Sequence, residues 1–199
     1  MNKIVITGGP CAGKTSIIEI LKMELADNIL VVPEAATLLL SGGFPAPGKQ
    51  LDYCDDWQLN FQRAVLSLQQ ALEGVYELLA SRQGAELVIC DGGMLSGAAY
   101  MPQGLKQFID LYGVSQEEML NNYQAVVHLE TIALAYPDKY GLSNNEHRYT
   151  TLDQAIELDQ LIKEVWQDHP GRYVIESGKN LEDKVMEVMG IIKNFLQKK

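Results

Sequence analysis

The sequence has little of what marks secreted, membrane-spanning or zinc-binding proteins. Its three cysteines, Cys11, Cys54 and Cys90, lie far apart and form no CxxC pair, which argues against a zinc site or a disulfide framework and favours a reducing compartment. It contains no run of about 18 apolar residues, the length that crosses a bilayer. The apolar run at its start, in MNKIVITGG, is too short for a signal peptide. We therefore expect a cytoplasmic protein with no membrane partner.

Basic residues are also scarce relative to acidic ones. The 199 residues include 16 Lys and Arg against 26 Asp and Glu, which gives a formal net charge of −10 at pH 7. A field of that sign repels nucleic-acid backbones, so we expect no nucleic-acid partner. The length fits a single domain over residues 1–199. The oligomeric state is left open by the sequence.

Short β-branched runs alternate with amphipathic helical patterns along the chain. The helical patterns, at residues 13–25, 55–82, 152–168 and about 180–197, repeat apolar residues at spacings of three and four. The β-branched runs have the length and apolar content of strands buried on both faces. They cover residues 3–7, 29–32, 86–90, 125–129 and 172–175. This alternation predicts an α/β fold with a parallel sheet between helices.

Two stretches interrupt the alternation. Residues 41–50, SGGFPAPGKQ, form a Gly/Pro loop, and residues 132–150 contain Pro137, Gly141 and two adjacent asparagines. Long loops in compact α/β domains are often lids or binding loops. We interpret residues 132–150 as a lid segment.

Residues 8–15 read GGPCAGKT and match the phosphate-binding pattern G-x-x-x-x-G-K-[ST]. Gly8 and Gly13 permit a backbone that aims successive N–H groups into a nest for phosphate oxygens. The helix that follows faces the anion with its positive end. In this pattern Lys14 contacts the β- and γ-phosphates of ATP and the Thr15 hydroxyl binds Mg²⁺. The predicted nucleotide contacts are Gly8, Gly9, Pro10, Cys11, Ala12, Gly13, Lys14, Thr15 and Ser16.

Two carboxylates follow predicted strands. Asp91 follows the third strand, and the carboxyl ends of parallel strands line the ligand crevice, so it is expected beside the P-loop. There it would bind Mg²⁺ or orient an acceptor hydroxyl, whereas the Asp-Gly-Gly sequence is also typical of a plain turn. Glu34 follows the second strand and either faces a phosphate acceptor or caps the next helix. If the two strands are neighbours, both carboxylates line an acceptor cleft between the 41–50 loop and residues 91–100.

Two charged residues have both a functional and a structural interpretation. Arg148 and Lys139 in the lid segment are candidates to close over the phosphates and neutralise developing charge, or they are solvated loop charges. His128 lies inside an apolar strand and is interpreted as a core histidine and not as a ligand. Trp57 and Trp166 fall on apolar helix faces, which predicts core packing.

The order of these motifs resembles a small AAA-like ATP-binding family allied to nucleoside and nucleotide kinases, which includes the ribosylnicotinamide kinase domain of bacterial NAD-metabolism regulators. The resemblance covers nearly the whole chain. Many members have Asp-Arg-Gly after the third strand, where this chain has Asp91-Gly92-Gly93. The matching motifs are GGPCAGKT, PEAAT, DGGxxxGAAY and, in the long helix, Phe61, Gln62, Val65, Gln69 and Glu73.

The resemblance implies a P-loop NTPase fold with a five-stranded parallel sheet ordered 2-3-1-4-5 and helices on both faces. It places Arg148 at the position of the family's lid arginine. It also implies an adenine-contacting loop at Ser177, Gly178 and Lys179.

Together the motifs favour a Mg²⁺–ATP-dependent phosphotransferase that acts on a small nucleoside-like acceptor. The candidate catalytic residues are Lys14, Asp91, Arg148 and Glu34, and the candidate Mg²⁺ ligands are Thr15 and Asp91. The alternative is an ATPase or nucleotide switch that engages a partner protein.

Overall fold

Five parallel strands form the sheet at the centre of the structure, a computed structural model that describes residues 1–49, 51–140 and 151–196. The strand order is β2-β3-β1-β4-β5, and every pairing is parallel. The predicted fold and strand order are thereby confirmed. The strands are β1 (Asn2–Gly8), β2 (Ile29–Val32), β3 (Leu87–Asp91), β4 (Ala125–Leu129) and β5 (Arg172–Ile175).

Helices cover both faces of the sheet. One apolar core lies between the sheet and helices α1 and α7, and a second lies under α3, α6 and a 3-10 helix at Met94–Tyr100. The helices are α1 (Lys14–Glu24), α2 (Ala35–Ser41), α3 (Asp55–Gln83), α4 (Gly104–Tyr112), α5 (Gln116–Asn121), α6 (Leu152–Val165) and α7 (Leu181–Leu196). In the part of the chain that is described, no helix is long and apolar enough to span a bilayer.

The register of the sheet decides which loops meet. Val32 at the end of β2 pairs with Cys90 of β3, and Asp91 pairs with Ile6 of β1. The three strands therefore end at the same edge of the sheet. The loops that follow β1, β2 and β3 are consequently neighbours, as the sequence predicted from the parallel order.

The tryptophans differ in their burial. Trp166 is fully buried, as predicted, but Trp57 is only half-buried. The Trp57 ring stacks on Phe61, with ring centroids 4.8 Å apart. Its Nε1–H donates a 2.6 Å hydrogen bond to the carbonyl oxygen of Pro45. Trp57 therefore attaches the loop at Phe44 and Pro45 to α3 instead of filling the core beneath the sheet.

Candidate functional site

The P-loop connects β1 to α1, and glycine is required where it leaves the sheet. A Cβ on Gly8 would overlap the carbonyl oxygen of Leu129 on the neighbouring strand. Gly13, the N-cap of α1, has a φ of 91°, a left-handed conformation that favours glycine. The loop lines a cavity of about 530 Å³. Its lining includes every residue from Gly8 to Ser16, the set predicted to contact the nucleotide.

Lys14 is paired with the two carboxylates that the sequence placed nearby. Its ammonium contacts the Asp91 carboxylate and lies 3.5 Å from Glu34 Oε1. The side chains of Lys14 and Asp91 are 17% and 15% exposed, so the pair is largely shielded from water. Burial alone would lower the pKa of Lys14, but the two carboxylates raise it above its usual value. Lys14 is therefore fully charged at neutral pH.

For Asp91, the effect of burial on the pKa outweighs the effect of the neighbouring charge. Burial raises the pKa of its carboxyl group, and the Lys14 ammonium only partly offsets this effect. A carboxylate with a raised pKa binds a proton more readily than an exposed aspartate does. Asp91 is thus suited to accept a proton or a hydrogen bond from a hydroxyl group.

Glu34 is directed at Lys14 and not at the helix backbone. It is the N-cap residue of α2, but its side chain makes no capping hydrogen bond. Its Oε2 instead accepts a 2.5 Å hydrogen bond from the Thr37 hydroxyl. The capping interaction is therefore not formed, Glu34 lines the cavities on both sides of Lys14, and its role toward a phosphate acceptor stays a prediction.

A second cavity, of about 330 Å³, lies beside the P-loop cavity. Its walls are α2, α3 and the segment that follows β3, and its size is within the usual range for small-molecule sites. The predicted position was wrong in one respect. The described residues 41–49 do not line the cavity, because Phe44 packs against Trp57 and Phe61, and α2 forms that wall instead. We call this the acceptor cavity; its lining includes Glu34, Ala35, Leu40, Gln58, Phe61, Gln62, Asp91, Ser96, Gly97 and Tyr100.

Three glutamines of α3 line the acceptor cavity, and one of them, Gln69, donates a hydrogen bond to Glu73. Gln58 and Gln62 are 5% and 4% exposed. A Cβ on Gly97 would lie 2.6 Å from Gln62 Oε1, so glycine makes room for this amide. Among the described residues, neither side-chain amide makes a hydrogen bond. Buried amides with unused donors and acceptors are typical of a polar ligand site.

Tyr100 lines both cavities. The residue is 43% exposed overall, yet desolvation of its hydroxyl and the nearby Glu34 carboxylate raise its pKa to about 12. The hydroxyl is therefore protonated at neutral pH. It is available there as a hydrogen-bond donor.

Several predicted residues are placed elsewhere or fall outside the described residues. Arg148 lies outside them, with the rest of 141–150. Lys139 is exposed, and its ammonium lies 4.7 Å from the ring centroid of Tyr136. His128 is fully buried in β4, as predicted for a core histidine.

The predicted adenine loop is engaged in contacts of its own. Ser177 N–H donates to Glu130 Oε2 at 3.1 Å, and the Lys179 ammonium pairs with Glu187. Within the described residues, Ser177, Gly178 and Lys179 are not part of the P-loop cavity lining. The adenine contact stays a prediction.

Sequence reasoning did not predict a site role for Gln58 or Gln62, although Gln62 is one of the motif residues that the chain shares with the family it resembles. The signal was present, because residues 58 and 62 fall on the buried stripe of α3, at a spacing of four, where apolar side chains are expected. Polar side chains on such a stripe indicate a ligand site or a buried network.

Comparisons with known proteins agree with the fold. A family model described as "AAA domain" matches residues 3–184. No curated protein matches the sequence significantly. Among solved structures, one that superposes well is deoxyadenosine kinase from M. mycoides with the products dCMP and a flexible dCDP bound. Its TM-score is 0.62 at 13% identity, and the match covers 96% of this chain and 99% of that one. The same kinase with bound dATP gives a TM-score of 0.56 at 16% identity, covering 97% and 100%. At these identities the likeness shows a shared fold.

Proposed function

Because the chain belongs to the AAA domain family, whose model spans residues 3–184, we propose that it binds Mg²⁺–ATP at the P-loop and transfers a phosphoryl group to a small nucleoside-like acceptor. One observation carries the proposal. The P-loop cavity and the acceptor cavity share Gly8, Lys14, Glu34 and Tyr100 as lining residues. A phosphate held at Lys14 would therefore stand at the entrance to the acceptor cavity.

The nucleotide would replace the carboxylate partners of Lys14. Phosphate oxygens bind an ammonium as strongly as a carboxylate does, and the backbone N–H groups of the loop add a second set of donors. Lys14 thereby leaves Asp91 free to act on another group. The ion pair of the ligand-free protein is a resting arrangement in this proposal.

Thr15 and Asp91 would hold the metal. Both offer hard oxygen ligands, and Mg²⁺ in nucleotide sites usually takes one or two protein oxygens together with phosphates. The exposed Thr15 side chain lines the P-loop cavity, and Asp91 lies at the end of the adjacent strand. When bound, the metal neutralises charge on the phosphate oxygens.

The acceptor cavity fits a planar ring with polar edges. The Phe61 ring offers an apolar face, and the amides of Gln58 and Gln62 each supply donors and an acceptor. At the end near Lys14, the carboxylate of Asp91 can accept a hydrogen bond from an acceptor hydroxyl and take its proton. A nucleoside presents both features, a flat base and a hydroxyl group. The fold of M. mycoides deoxyadenosine kinase, solved with dCMP and with dATP, supports the same substrate class.

The test is ATP turnover with and without a panel of nucleosides. A phosphotransferase is expected to accelerate many-fold with at least one acceptor and to release a phosphorylated product. Lys14→Ala should abolish this activity, whereas Lys22→Ala, on the exposed side of the same helix, should retain it. Turnover that no acceptor stimulates would refute the proposal and favour an ATPase or a nucleotide switch.

A further inference from the structure

The P-loop is held on its outer side by three side chains from different parts of the fold. They are Thr131, just after β4, Asp159 on α6 and Lys184 on α7, and each is at least nine-tenths buried. We call these three residues the loop support. None of them belongs to the phosphate-binding motif.

Asp159 contacts the loop at Gly9. Its Oδ1 accepts a 2.8 Å hydrogen bond from Gly9 N–H and a 3.1 Å hydrogen bond from Thr131 N–H. His128 Nε2 lies 3.3 Å from the same oxygen. A Cβ on Gly9 would come within 2.5 Å of Oδ1, so this approach requires glycine at that position of the loop. One oxygen atom thus joins the P-loop, β4 and α6.

The other two contacts follow along the same loop. The Thr131 hydroxyl donates to the carbonyl oxygen of Pro10. The Lys184 ammonium donates to the carbonyl oxygens of Ala12, at 3.4 Å, and Glu130, at 3.1 Å. Peptide groups on both sides of Cys11 are therefore fixed from behind.

The loop has a reason to need such support. Cys11 has a φ of 60°, a left-handed conformation that is unfavourable for a residue with a side chain. A phosphate nest also aims several N–H groups at one point, and the backbone hydrogen bond inside this loop, from Ala12 N–H to the Gly9 carbonyl oxygen, is long at 3.3 Å. Such conformations persist only where surrounding contacts determine them.

We propose that Asp159 is a positioning residue, which keeps the P-loop in its phosphate-binding conformation before the nucleotide arrives. The inference rests on the proposed nucleotide binding. The hydrogen-bond acceptor Oδ1 stabilises the loop conformation, and the negative charge does not contribute, because a negative charge near the loop opposes phosphate binding. Asparagine at this position therefore preserves the function and alanine loses it.

The experiment compares three variants by ATP affinity, measured by calorimetry. Asp159→Ala should weaken binding by about tenfold or more, the size of one or two lost buried hydrogen bonds. Asp159→Asn should bind within about threefold of wild type, or more tightly, since it keeps the acceptor. The control is Gln160→Ala, the neighbouring exposed residue of the same helix, which should not change affinity. Equal affinities for wild type and Asp159→Ala, or equal losses for the alanine and asparagine variants, would overturn the inference.

A second measurement needs no nucleotide. Hydrogen exchange of the Gly9 amide should be faster in Asp159→Ala and unchanged in Asp159→Asn. If wild type fails to bind ATP, the proposed function fails, while the exchange rates still test the support of the loop. If Asp159→Ala does not fold, Asp159→Leu keeps the approximate size of the side chain and has no hydrogen-bond acceptor for Gly9 N–H. Full ATP affinity in that variant would also contradict the inference.

Discussion

Replacing Asp91 by asparagine should separate nucleotide binding from turnover. The change keeps the shape of the side chain and removes its charge. In the ligand-free protein Lys14 is bound to the Asp91 carboxylate, and the nucleotide has to displace that contact. Asp91→Asn therefore weakens a competitor of ATP and also removes the group proposed to contact the metal and the acceptor hydroxyl.

The size of the binding effect follows from the burial of the pair. A hydrogen bond between charged groups is worth about 1.5–3 kcal/mol, against about 1 kcal/mol for a neutral one. Both side chains are less than one fifth exposed, so solvent screening does not remove this difference. Losing the charge should therefore lower the free-energy cost of displacing this contact by about 1 kcal/mol. ATP should then bind about fivefold more tightly when Mg²⁺ is absent.

Turnover should move in the opposite direction. Loss of a group that accepts a proton costs about 10²- to 10⁴-fold in rate. Because burial raises the pKa of Asp91 in the ligand-free protein, wild-type kcat/KM, which reports the free enzyme, should begin to fall on acidification at a higher pH than it would for an ordinary aspartate. This acidic limb should be missing from the residual activity of Asp91→Asn.

The assay pairs ATP calorimetry in EDTA with a pH–rate profile in Mg²⁺. Asp110→Asn is the control, since Asp110 forms a similar ion pair with Lys106 on the exposed side of α4. Weaker ATP binding in EDTA would refute the competition between Asp91 and phosphate. An unchanged rate would show that Asp91 is only a turn residue.

Three further predictions address other parts of the site. Lys14→Ala should abolish the rise in melting temperature that ATP causes in wild type, because that rise depends on binding to the native state; a rise equal to that of wild type would contradict the phosphate assignment. In a Cys54→Ser background, which removes the exposed cysteine, ATP should slow the alkylation of Cys11, because Cys11 lines the P-loop cavity. Mass spectrometry measures the alkylation rate, and equal rates with and without ATP would exclude this protection. Gln62→Leu should raise the KM for the acceptor by about tenfold without changing the Kd for ATP, because a buried amide partner is lost. The control Gln70→Leu, at an exposed position, should change neither constant. An unaltered KM in Gln62→Leu would show that Gln62 does not bind the acceptor.

The parts of the site that are local in sequence were the predictable ones. GGPCAGKT contains its glycines, its lysine and its helix start within eight residues, so its conformation follows from the motif. Asp91 and Glu34 were placed by a single topological rule about the ends of parallel strands.

The parts that depend on distant contacts were not predictable. The helix α2 has seven residues, too few for its periodicity to be recognised, and the wall of the acceptor cavity was therefore assigned to the wrong segment. Asp159 lies 150 residues from Gly9 in the chain. Only the packing of α6 against the sheet brings the two together, and no local pattern indicates it.

The different environments of the two tryptophans give the protein an optical reporter of its own. Trp166 is fully buried, and its Nε1–H donates a 3.1 Å hydrogen bond to Ser96 Oγ, so its emission would add a second signal to that of Trp57. Trp57 is half-buried and stacks on Phe61, a ring that lines the acceptor cavity. In a Trp166→Phe variant, the fluorescence of Trp57 would follow the filling of that cavity without any added label.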